Sequence, residues 1–89
     1  MLRITSMESS DHLAQLKLEG QLIGRWVEEL RDLCDTALRQ GKALVVDLAE
    51  VSFLDREGTA LLKSLKSREV KLLNAQPFVA ELLKSAPAQ

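Results

Sequence analysis

The residues best placed to do chemistry are Asp55-Arg56-Glu57-Gly58-Thr59, two carboxylates and a glycine between an apolar run and a helical repeat. At a helix start, Asp55 can accept hydrogen bonds from free backbone N–H groups, and Glu57 adds first-turn negative charge that the helix dipole favours. Gly58 leaves room for a neighbouring backbone or a partner to approach closely. Helix starts also bind anions, but two carboxylates here repel one, so nucleotide binding is not expected at the cap. Ser52 and Thr59 offer hydroxyls nearby, whose default use is local capping or packing.

Other reactive residue types are isolated. His12 is the single histidine and stands in a polar turn, and Cys34 is the single cysteine. A lone cysteine forms no internal disulfide and no cysteine-cluster metal site. No serine or cysteine stands beside a base in the pattern of an activated nucleophile. Glu28-Glu29 and Asp32 with Asp35 fall on a solvated helix face, where surface ion pairing is the default. Gly20 and Gly24 lack the spacing of a phosphate loop. An enzyme is the poorest fit, with no catalytic residues, cofactor or metal expected.

At 89 residues the chain is one small domain over 1–89, near the size where one core is barely sufficient. Twelve basic residues stand against 13 acidic ones, for a net charge of −1, and the basic residues are spread along the chain. Trp26, Phe53 and Phe78 are the only aromatic residues, too few for a base-stacking surface. Nucleic-acid binding and membrane insertion are not expected, nor is a secretion leader at Met1-Leu2-Arg3-Ile4-Thr5. A cytoplasmic protein fits these properties.

The elements that carry the cap follow from periodicity. Leu2 and Ile4, then Ala14, Leu16 and Leu18, alternate with polar residues and predict a hairpin around a turn at Glu8-Ser9-Ser10-Asp11. Gly20 closes the second strand. Trp26, Val27, Leu30, Leu33, Cys34, Ala37 and Leu38 recur at helical spacing over 25–40, with Gly41 as the stop. Trp26 and Cys34 on this stripe are expected in the core. Ala43-Leu44-Val45-Val46 lacks alternation and predicts a central strand covered on both faces. A short apolar turn, a helix over 56–66 and a strand at 70–73 complete a parallel crossover unit. Pro77 opens a last helix with Phe78, Val79, Leu82 and Leu83 on the sheet, and Ser85–Gln89 is expected to fray. The fold class is thus α/β: about four strands, an N-terminal hairpin followed by parallel strands, in the order β-β-α-β-α-β-α.

Leu16-Lys17-Leu18-Glu19-Gly20-Gln21-Leu22, the run from Val45 to Leu62, and Asn74-Ala75-Gln76-Pro77-Phe78-Val79 occur in an order and spacing that resemble the STAS domain, the fold of bacterial anti-sigma-factor antagonists. The resemblance covers nearly the whole chain. In that family the cap reads Asp-Ser-Ser-Gly, and a kinase partner phosphorylates the second serine. Here Glu57 takes that position. The chain also stops where many relatives continue with another strand and helix, which leaves 70–73 as a sheet edge that a homodimer could use.

The resemblance implies a non-enzymatic interaction module whose partner-binding surface is the helix start and its adjacent loops. Arg25, Phe53, Asp55, Arg56, Glu57, Gly58 and Thr59 are its candidate residues, with Trp26 as a further one. Glu57 is the phosphosite equivalent, which implies no switching by serine phosphorylation there. The implied protein partner is an anti-sigma factor or kinase-type ATPase in transcription regulation by partner switching. The alternative is an accessory subunit bound to the cytosolic ATPase of an ABC-type phospholipid transporter.

Overall fold

The computed structural model describes residues 2–84, and the expected fraying of 85–89 lies outside them. Seven elements follow in order: β1 (Leu2–Ser10), β2 (Leu13–Leu22), α1 (Arg25–Arg39), β3 (Ala43–Leu54), α2 (Arg56–Ser67), β4 (Lys71–Leu73) and α3 (Pro77–Lys84). The strands form one sheet in the order β1-β2-β3-β4. β1 and β2 are antiparallel, and β2–β3 and β3–β4 are parallel. The expected fold class and element order both hold.

Because the parallel strands advance across the sheet in one direction, crossovers of one hand put α1 and α2 on the same face. Leu16, Leu18, Val46 and Leu48 of the strands meet Val27, Leu30 and Cys34 of α1, Leu61, Leu62 and Leu65 of α2, and Val79 of α3 in one core. On the other face Arg3 stands opposite Glu19 and Lys17 opposite Asp47. Those charged pairs suit a face left to water, and β3 is buried at alternate positions from Leu44 to Leu48. Burial of β3 on both faces, expected from its unbroken apolar run, is therefore corrected to one.

The hairpin is also longer than its polar residues suggested. β1 runs through Ser10 and turns at Asp11 and His12, and β2 passes Gly20 to end at Leu22. The apolar turn expected after residue 46 is strand throughout. Relative to β2, β3 carries one extra residue between Asp47 and Glu50 and another between Val51 and Phe53. Such bulges re-aim side chains, and the buried positions Leu48, Val51 and Leu54 accordingly recur every third residue.

Two apolar stripes are narrower than predicted. Leu33 of α1 is exposed, as are Phe78 and Leu82 of α3, while Val79 is buried and Leu83 half-buried. Trp26 is half-buried against the core, with the Arg25 guanidinium 4.9 Å from its ring centre. Arg68 and Asp35 form a 2.8 Å ion pair that links the end of α2 to α1. Among the described residues β1 and β4 are the two edges of the sheet, and no helix is long and apolar enough to cross a membrane.

Candidate functional site

The C-terminal end of β3 delivers Asp55 to the foot of two helices. Asp55 is extended at φ −89° and is the N-cap of α2, where its Oδ1 accepts from the Gly58 N–H at 2.7 Å. Its Oδ2 accepts from the Gly24 N–H at 3.0 Å, and Gly24 is the N-cap of α1. One carboxylate thus joins the first turns of both helices. Gly24 has φ 54°, a conformation glycine adopts without strain, and this aims its amide at Asp55. The N–H of Gly24, then that of Gly58, hold the Asp55 carboxyl below its ordinary range by stabilising the anion. The Asp55 carbonyl accepts from the Thr59 N–H at 2.9 Å and the Thr59 hydroxyl at 3.0 Å.

Gly58 is buried, and its open space is taken by the protein's own backbone. A Cβ there would stand 2.5 Å from the Leu22 carbonyl oxygen and 3.2 Å from the Leu22 Cγ. The first turn of α2 therefore lies directly on the end of β2.

Arg25, Phe53, Arg56 and Glu57 are exposed around this fixed start, Phe53 by 52%. Arg25 arrives there because Gly24 is bonded to Asp55, and the second bulge precedes Phe53 at the end of β3. The candidate residues are thus brought together by a single carboxylate and a strand end. Ser52, expected in a turn, is an exposed strand residue.

A second polar cluster was not anticipated. β4 pairs only with Val45–Asp47, so β3 continues past it with β2 on one side and no strand on the other among the described residues. Side chains take over the pairing. Gln76 Nε2 donates to the carbonyls of Ala49 at 2.7 Å and Val51 at 2.9 Å. Asp47 Oδ1 accepts from the Ala49 N–H at 2.9 Å and from Asn74 Nδ2 at 3.2 Å, which lower its pKa in that order of importance. The available signal was the pair Asn74 and Gln76 directly after an edge strand. Gln76→Ala is expected to cost about 1 kcal/mol and to speed amide exchange at the end of β3, read by hydrogen–deuterium exchange.

His12 is exposed in the hairpin turn, and its carbonyl accepts from the Ala43 N–H at 2.8 Å. Cys34 is buried, and burial above all, then the charge of Asp35, pushes its thiol up to about 12. It is a protonated core residue at neutral pH.

A family model described as "Mlab, STAS domain" matches residues 5–87. No curated protein matches. Among solved structures, the anti-sigma factor antagonist SpoIIAA in its unphosphorylated form superposes with a TM-score of 0.72 at 21% identity, over 92% of this chain and 78% of that one. An antisigma-factor antagonist STAS domain from Rhodobacter sphaeroides gives a TM-score of 0.62 at 23% identity, over 82% of this chain and 86% of that one. At these identities the likeness to the two structures is one of fold.

Proposed function

The chain belongs to the STAS domain family, and from that premise we propose that it is a non-enzymatic interaction module, one domain over 1–89, that binds a regulatory protein partner through the start of α2. The observation that carries this reading is the Asp55 carboxylate held by both Gly24 and Gly58. It fixes the first turns of two helices and so preorganises Arg25, Phe53, Arg56 and Glu57, which reduces the ordering cost of binding. Half-buried Asp55 and Thr59 and buried Gly58 hold that surface in place from beneath.

Glu57 stands where the antagonists that this chain resembles carry their phosphorylated serine. It brings about one permanent negative charge, against roughly −1.5 to −2 for phosphoserine. The binding state is therefore constant at this position rather than switched. Glu57→Ser is expected to change partner affinity and to supply an acceptor hydroxyl for a kinase-type partner. Unchanged affinity in a titration of that variant contradicts a role for Glu57.

The resemblance offers two classes of partner. An anti-sigma kinase-type ATPase fits an antagonist-like regulator that has lost its phosphoacceptor. The Mlab description of the matching family, together with the absence of a hydroxyl at position 57, favours the second class: the cytosolic ATPase of an ABC-type phospholipid transporter. Co-purification of the tagged chain with solubilised membranes separates them. An ABC ATPase with its membrane subunits supports the transporter reading. A histidine-kinase-like ATPase from the soluble fraction supports partner switching.

A further inference from the structure

At the opposite edge of the sheet from β1, between α2, β4 and α3, a groove of about 350 Å³ opens to solvent. Its apolar floor includes Leu72, Ala75 and Leu83, all only half-buried. Lys66 from the end of α2, Lys71 from β4 and Lys84 from the end of α3 line it as well. These three lysines are exposed and make no ion pair among the described residues. No carboxylate is among the described residues that line the groove.

Lysines in the last turn of a helix complement its dipole, which accounts for Lys66 and Lys84. It does not account for Lys71, which comes from the strand and adds a third positive charge at the same groove. In a chain with a net charge of −1, this is a local excess of one sign over apolar surface. Beside it, β4 is an outer strand of the sheet, with no neighbouring strand on its far side among the described residues.

We propose that this groove is a second docking surface, separate from the start of α2, for an acidic segment of a partner protein that also carries apolar side chains. The lysines pair with its carboxylates, the half-buried floor takes its apolar side chains, and the β4 edge supplies backbone hydrogen bonds as in strand addition. Charge argues against a second copy as the occupant. Edge-to-edge pairing would face the same lysines with one another, the arrangement by which natural edges resist self-association.

The test is fluorescence anisotropy on the intact chain, with a short labelled peptide that alternates glutamate with leucine and a control that alternates lysine with leucine. The glutamate peptide is expected to bind and to be displaced by salt, and the lysine peptide is expected not to bind. Joint reversal of Lys66→Glu, Lys71→Glu and Lys84→Glu should weaken binding by about tenfold or more, since each exposed pair contributes little alone. Should the joint variant lose its thermal transition, Lys71→Glu alone serves, with a smaller weakening and with loss of peptide-induced amide protection over 71–73. Equal binding of both peptides, no binding of the glutamate peptide, or binding unchanged by the reversals overturns the proposal. A dimer in light scattering that the peptide dissociates overturns it too, because a second copy then fills the groove.

Discussion

Gly58→Ala is expected to destabilise the protein by about 1–3 kcal/mol, although the same change on an exposed helix normally gains about 1 kcal/mol. The new Cβ would meet the Leu22 carbonyl oxygen at 2.5 Å, a backbone atom that cannot swing aside. It would also lie 3.3 Å from Asp55 Oδ1, the atom that caps the helix. Overpacking of this kind costs about 1–3 kcal/mol, and disturbing the cap adds about 1 kcal/mol, together more than the helix-propensity gain. In a domain of this size each kcal/mol moves the melting temperature by about 4–8 °C. A thermal melt at or above the unsubstituted value would show that α2 does not rest on β2 as described.

Asp55→Ala is expected to lose about 1–2 kcal/mol, since it removes the acceptor for both the Gly24 and Gly58 N–H groups. Asp55→Asn falls between, because one amide oxygen can serve Gly58 while the amide nitrogen cannot accept from Gly24. The carboxyl is also a source of pH dependence. Its folded-state pKa lies below the unfolded value of about 3.9, owing first to Gly24 and then to Gly58. Its stabilisation is therefore complete above the unfolded value and is lost as pH falls through the folded one. Asp47, lowered by the Ala49 N–H and then by Asn74, acts in the same direction. Denaturant melts across the acid range should give a shallower acid limb for Asp55→Asn. An identical limb would mean that the Asp55 bonds are not formed in solution.

The hairpin, the order of elements and the cap at Asp55 were legible because each is a local pattern: alternation at Leu16 and Leu18, the stripe from Val27 to Cys34, and an acid before a glycine. The second half of β3 was not. Its two bulges turn a period of two into a period of three at Leu48, Val51 and Leu54, which reads as a turn to any test for alternation. Those bulges also set the aim of Phe53, whose surface position the family resemblance implied but no local spacing marked. The Asp55–Gly24 bond joins residues 31 apart in sequence, and no local signal marks it. In α3 two adjacent apolar pairs compete for one face. The packing chose Val79 and Leu83 over Phe78 and Leu82, a choice that eight residues of helix leave undetermined.

The start of α2 as the partner-binding face is tested by affinity capture from native extract, comparing the tagged chain with its Phe53→Ala, Arg56→Glu double variant and identifying retained proteins by mass spectrometry. Both side chains are exposed and make no described hydrogen bond to the core, so the variant should keep its melting temperature. The expected result is a specific protein retained by the unsubstituted chain and lost with the folded variant. Equal retention of the same protein by both would contradict binding through this face.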